Sequence, residues 1–229
     1  MKTISKRLAK EKLKIEDRLY TPEEAIKLLK NVASAKFIES AEAHINLNIN
    51  PKYADQQLRA NLVLPKGSGK TVRLAVIAQP EQQTDEIKEK VELLGDTELI
   101  NDIEKNIINF DMLIVTPEMM PSLAKLGKIL GPRGLMPSPK AGTVTTDLNK
   151  SIEEFKSGKI EYRADKTGIV HVLFGKTSFS ENDLNANLKA LYQSIEKNKP
   201  SGAKGRYIKS FTICSTMSPA ITIDYSLWK

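Results

Sequence analysis

A single cysteine, Cys214, stands in a chain of 229 residues, so neither an internal disulfide framework nor a multi-cysteine zinc or iron–sulfur site can be assembled. Only two histidines are present, His44 and His171, which excludes a histidine-rich metal centre. No uninterrupted apolar run approaches the roughly 18 residues that a membrane-crossing helix needs. The opening segment MKTISKRLAKEKLKIEDR is charged throughout and lacks the apolar middle of a signal peptide. Neither HExxH nor GxSxG occurs, no acidic pair can be assigned acid–base work, and Cys214 sits in a β-rich run that predicts burial and low reactivity. The expectation is a soluble protein of a reducing compartment, not an enzyme, with no cofactor, no metal and no membrane partner.

What is abundant is positive charge: 35 Lys and Arg against 28 Asp and Glu, a formal +7. Its distribution says more than its sum. Residues 1–66 carry +5, residues 67–158 carry −3, and residues 159–229 carry +5. Flexible residues mark both junctions, Pro65-Lys66-Gly67-Ser68-Gly69-Lys70 and Ser157-Gly158. The expected organisation is therefore one discontinuous basic domain, residues 1–66 with 159–229, interrupted by an inserted domain of residues 67–158. A basic domain of this kind suits a polyanionic partner.

Hydrophobic periodicity supplies the elements. Thr21-Pro22-Glu23-Glu24 has a capping residue, a proline at the first helical position and a glutamate three residues after the cap, so a helix starts there. Ala43, Ile45, Leu47 and Ile49 alternate with His44, Asn46, Asn48 and Asn50, the period of a half-buried strand. A second strand is expected from Leu58 to Leu64. In the middle section, VRLAVIA (72–78) and FDMLIVT (110–116) read as buried parallel strands, with helices expected over 85–94, 99–107 and 117–126. KIEYRAD and GIVHVLF read as two strands joined by a tight Asp165–Gly168 turn. Ser180 caps an amphipathic helix reaching Asn198, and the tail is strand-like. The fold class is α/β overall: an α+β domain from the two ends and an α/β layer in the middle.

Among candidate motifs, Gly67-Ser68-Gly69-Lys70-Thr71 ends like a phosphate-binding loop, but Leu64 stands where the first glycine is needed and a strand follows instead of a helix. A nucleotide-binding enzyme would also need a glycine-rich turn after Ala78, where the chain has Gln79-Pro80-Glu81. The segment 126–142 holds Gly127, Gly131, Gly134, Gly142, Pro132, Pro137 and Pro139, so turns rather than a regular element are expected there. With Lys128, Arg133 and Lys140 it suits phosphate, and equally a rigid solvated loop. Lys36-Phe37 could grip phosphate and stack on a base, although a lone phenylalanine more often belongs to a core. Asp165, Lys166 and His171 fit either a hairpin tip or a polar contact surface. Lys204, Arg206 and Lys209 belong to a basic run around Pro200-Ser201-Gly202, and Thr216-Met217-Ser218 offers hydroxyls for ribose or for a turn.

LGKILGPRGLMPSPKAGTVT resembles the signature of the ribosomal protein L-one family, the protein of the large subunit's mobile side stalk. SKR, AKFIES, DQQLRANLVLPKG, FDMLIVTP, YRADKTGIVHV, SGAKGRYIKS and STM follow in the family's order. EAHINLNINPKYADQQLR and KPSGAKGRY look most like the cyanobacterial and plastid branch. The resemblance implies a discontinuous RNA-binding domain with an inserted Rossmann-like domain on a hinge, binding side-stalk 23S rRNA in the large ribosomal subunit. It implies contacts from Lys36, Phe37, Ser40, Asp165, Lys166, His171, Thr216, Met217 and Ser218; Lys204, Arg206 and Lys209 of the basic run are expected to bind RNA with them, and Lys128, Arg133 and Lys140 form a secondary RNA contact loop. A free monomer, E-site tRNA release and repression of the chain's own mRNA are further implications. The family usually has glycine where this chain has Ser218, which leaves the local backbone contact open. Lys 28 against Arg 7, with many Ile and Asn, points to an AT-rich genome, hence a plastid ribosome, the bacterial cytoplasm being the alternative.

Overall fold

The computed structural model describes residues 5–228; the first four residues of the opening segment and Lys229 lie outside that range. The chain divides into two compact units, Met1–Gly69 with Ile160–Lys229, and Lys70–Lys159. The first segment contains α1 (Lys6–Lys12), α2 (Pro22–Val32), β1 (Ser40–Leu47) and β2 (Arg59–Val63). The middle contains β3 (Leu74–Ile77), α3 (Asp85–Lys90), β4 (Leu93–Gly95), α4 (Thr97–Glu104), β5 (Met112–Val115), α5 (Met120–Ala124), α6 (Gly127–Leu130) and α7 (Leu148–Lys156). Then follow β6 (Lys159–Arg163), β7 (Ile169–Lys176), α8 (Glu181–Lys197), β8 (Ile208–Ser215) and β9 (Ile221–Thr222).

In the first unit the sheet order is β7-β1-β8-β9, so β1 is hydrogen-bonded on both sides by strands from the other end of the chain. Both pairings are antiparallel. The period of two puts Ala41, Ala43, Ile45 and Leu47 on a fully buried face. That face packs on α2, through Ala25, Ile26, Leu29 and Val32, and on α8, through Leu184, Leu188, Leu191 and Ile195. Each buried valine, leucine or isoleucine among them contributes about 1.5–3 kcal/mol. The α2 start carries both halves of the capping box: Glu24 N–H donates to Thr21 Oγ1 (3.3 Å) and Thr21 N–H to the Glu24 carboxylate (3.3 Å). Ser180 Oγ caps α8 by accepting from Asp183 N–H (3.1 Å).

In the second unit a parallel sheet of order β4-β3-β5 forms a three-layer sandwich. Ala75, Ile77, Leu113 and Val115 meet α4, α5 and α6 on one face, while Leu74, Val76 and Ile114 meet α3 and α7 on the other. Both faces are covered, which is why these strands read as continuous apolar runs.

Two expectations are corrected and one is refined. The helix expected over 85–94 ends at Lys90, and Leu93–Gly95 is a third parallel strand; three residues are too few to show a periodicity of their own. KIEYRAD and GIVHVLF do form two strands joined by the Asp165–Gly168 turn, held by the Ala164–Val170 bridge and by Asp165 N–H donating to Ile169 O (2.8 Å). Beyond the turn they part: β6 pairs with β2 in a separate two-stranded sheet and β7 pairs with β1. The glycine–proline segment is not purely turns, because α6 and a 3-10 turn at Pro139–Ala141 lie within it.

Asn187 is a fully buried amide on α8. Its Nδ2 donates to Gly67 O and Phe174 O (both 2.9 Å), and its Oδ1 accepts from Lys66 N–H (3.0 Å). The chain leaving the first segment is thereby tied to the helix. Asn187→Ala orphans these backbone groups and is expected to destabilise the first unit by about 2–4 kcal/mol, read as a lower urea midpoint.

Candidate nucleic-acid interface

The first unit holds 23 Lys and Arg against 14 Asp and Glu, a formal +9, and the second unit 12 against 14. Positive charge thus belongs to the unit whose sheet has one uncovered face. Alternation places Glu42, His44 and Asn46 of β1 on that face, beside His171 of β7 and Ser210, Thr212 and Cys214 of β8. His44 lies opposite His171 on one side and Thr212 on the other.

The two histidines touch: Nδ1 to Nδ1 is 2.8 Å, so one hydrogen is shared between the rings. His44 Nε2 is 3.2 Å from Cys214 Sγ, and His171 Nε2 is 3.6 Å from Asp165 Oδ2. Burial, then the charge of His171, pulls His44 below its ordinary 6.5, with Glu42 opposing. Cys214 is half-buried on the open face rather than within the core, because it shares the parity of Thr212; burial pushes its thiol up, and it stays protonated.

One rim of this face joins the segment after α2 to the loop after β8. Phe37 is 56% exposed, Ile38 62% and Met217 47%, so Phe37 is not a core residue. Lys36 and Thr216 are exposed too. Ser40 N–H donates to Thr216 Oγ1 (3.0 Å) and Thr216 N–H to Ser40 O (3.1 Å). Ser218 turns inward, its Oγ accepting from Ser215 N–H (2.8 Å). Among the described residues Asn106 is the only non-glycine with positive φ, so the backbone at 218 does not require glycine. Lys36, Phe37, Ser40, Thr216, Met217 and Ser218 are therefore gathered at one end of the sheet.

The opposite rim carries the turn before β7. Asp165 Oδ1 accepts from Thr167 Oγ1 (2.7 Å), Thr167 N–H (2.8 Å) and Ile169 N–H (2.8 Å). The Thr167 hydroxyl above all, then the Ile169 N–H, holds its carboxyl down at about 2. Asp165 thus builds the turn that exposes Lys166. Gly168, at φ +84, closes it; a Cβ there would lie 3.1 Å from Ile49 O. Lys204 is exposed and its carbonyl accepts from Asn48 Nδ2 (3.4 Å). Arg206 Nε donates to Tyr225 Oη (2.8 Å) and Ile208 O (3.1 Å), and Lys209 is exposed beside it.

Lys128, Arg133 and Lys140 are exposed in the second unit. Arg133 Nη2 donates to Asn106 Oδ1 (3.4 Å). The N–H groups of Gly131, Gly134, Leu135, Ala141, Gly142 and Thr143 all donate to carbonyls within the loop. Backbone donors there close turns, and side-chain cations are what the loop presents outward.

Three residues of the site escaped sequence reasoning. Arg7 and His44 make their contacts with residues 210 and 127 positions away. Glu39 had a usable signal: it shares the parity of Ala41, Ala43 and Ile45, and a carboxylate on a buried face demands donors. Among the described residues there is no cluster of three or more His, Cys, Asp or Glu able to hold a metal ion.

Residues 29–219 match the Ribosomal protein L1p/L10e family. The chain belongs to that family. It is 60% identical over 226 residues to the "Large ribosomal subunit protein uL1c" of Guillardia theta, covering 99% of this chain and 97% of that protein. It is 58% identical over 224 residues to the uL1c protein of Pyropia yezoensis, covering 98% of each. The uL1 protein of Thermosynechococcus vestitus is 59% identical over 224 residues, covering 98% of this chain and 94% of that one. Membership in the L1p/L10e family agrees with the resemblance read from the glycine–proline segment.

The histidine pair of this L1p/L10e chain generates a pH prediction. A lowered folded value means that neutral His44 contributes stability fully present above the unfolded value, near 6.5, and lost as pH falls through the folded one. His171→Ala removes a charge that depresses His44 and is expected to raise the His44 titration midpoint in an NMR pH series.

Proposed function

We propose that this chain is a structural component of the large ribosomal subunit that binds the side-stalk region of 23S rRNA through the open sheet face and rims of its first unit. The observation that carries this reading is the convergence of exposed Phe37, Ile38 and Met217 with Lys36 and Thr216 at the end of an uncovered polar sheet, on the unit of formal charge +9. Cations supply salt-dependent affinity for phosphate. Exposed apolar side chains can stack on unpaired bases, and hydroxyls such as Thr216 Oγ1 address ribose, which is how folded RNA is distinguished. Family membership and the names of the relatives support the ribosomal setting, and the uL1c relatives support a plastid ribosome, with bacterial cytoplasm as the alternative.

The reading extends to two further RNAs. A departing E-site tRNA would meet Lys128, Arg133 and Lys140 of the second unit. The chain's own messenger would compete for the first unit if it presents the same folded element, giving translational repression. The free chain acts as a monomer, without a cofactor and without catalysis.

Binding of the purified chain to a side-stalk RNA fragment and to a scrambled control, across a salt series, tests the reading. Preference for the stalk fragment is expected; equal affinity overturns it. Lys166→Ala is expected to reduce the salt slope by about one ion. Thr216→Val is expected to weaken stalk binding far more than binding of the control.

A further inference from the structure

Resting on the RNA interface above, we propose that Arg7 and Glu39 are positioning residues: they clamp the backbone of Met217 from its two sides and so set the outward presentation of Thr216 and Met217.

Glu39 is 1% exposed, yet ionised. Burial pushes its carboxyl up, but the Ser215 hydroxyl and the Ala35 and Met217 N–H groups outweigh burial and leave it below the ordinary value. One oxygen, Oε2, accepts from both Ser215 Oγ (2.7 Å) and Met217 N–H (2.9 Å), while Oε1 accepts from Ala35 N–H (2.9 Å). The carbonyl of the same Met217 accepts from Arg7 Nη2 (2.8 Å), and Arg7 Nη1 donates to Ser34 Oγ (3.3 Å). A buried anion thus holds the N–H of Met217, and a guanidinium holds its C=O. Thr216, between Ser215 and Met217, is tied to Ser40 by its own N–H. With the backbone of 215–217 held, Met217 and Thr216 both stay exposed, Thr216 with its Oγ1 accepting from Ser40 N–H (3.0 Å).

Glu39 is buried and of the wrong sign for phosphate. Arg7 spends one N–H of each terminal nitrogen on a protein acceptor, which fixes its guanidinium against the loop, and the salt slope separates this role from a phosphate contact. Their contribution is pre-organisation: a loop already fixed loses less freedom when RNA binds. Arg7 also lies outside the family-matched residues 29–219, so α1 supplies half of the clamp from beyond that region.

The test pairs RNA binding with amide exchange. Arg7→Ala and Glu39→Gln are each expected to lower affinity for the side-stalk fragment by about ten-fold, with scrambled-RNA affinity and the salt slope unchanged. In the free protein, both variants are expected to accelerate exchange of the Met217 amide, measured by NMR. Arg7→Lys, which keeps a donor for the carbonyl, is expected to restore most of the stalk affinity. A salt slope reduced by about one ion in Arg7→Ala would make Arg7 a phosphate contact and overturn its positioning role. Equal losses on stalk and scrambled RNA would do the same for both residues. Unchanged Met217 exchange overturns the clamp whatever the RNA result. A wild-type chain without stalk preference overturns the functional reading and the RNA half of this inference, while the amide measurement still decides the clamp.

Discussion

The first unit depends on one strand having partners on both edges. β1 takes β7 on one side and β8 on the other, so its backbone donors and acceptors are satisfied by residues more than a hundred positions away. Strict alternation along β1 then divides the unit into an apolar face, sealed by α2 and α8, and a polar face of half-buried side chains. A one-residue slip in either pairing would turn His44 and Asn46 inward and Ala43 and Ile45 outward, so the register that builds the core also creates the polar face.

The same parity governs the chemistry at the end of the strand. Glu39 and Ser215 lie on the buried side, where a carboxylate persists only if donors surround it. Ser215 Oγ, Ala35 N–H and Met217 N–H supply them, drawing together the two loops that carry Phe37 and Met217. A buried charge at this place organises an exposed surface, and its value lies in geometry more than in net stability.

Much of this was legible because the relevant rules are local. The Thr21–Glu24 capping box, the Ser180 cap, the alternation of Ala43–Leu47 and the apolar runs of β3 and β5 each need only a few neighbouring residues to be recognised. What escaped depends on long-range partners. β4 is three residues long and follows α3 without a breaker before Gly95. The separation of β6 from β7 is decided by β2 and β1, which compete for them. For the candidate site, residue types such as Lys36, Phe37 and Thr216 were conspicuous, whereas the Arg7–Met217 and His44–His171 contacts carry no trace in spacing. Ser218 stood out as a departure from glycine, and its inward hydroxyl gives that departure a structural purpose.

The placement of β1 has a consequence for the order of events during synthesis. Its strand partners begin at Ile169 and Ile208, so when the first 69 residues leave the ribosome the central strand still has two open edges. The second unit is continuous, Lys70–Lys159, and its three strands lie within residues 74–115, so its sheet can close while β1 waits. Contacts that span so much of the chain are slow to form, and an unpaired apolar strand is a site for wrong association in the interval. The asparagines at 46, 48 and 50 and the charged residues of α1 and α2 keep that waiting segment hydrated until its other half is made.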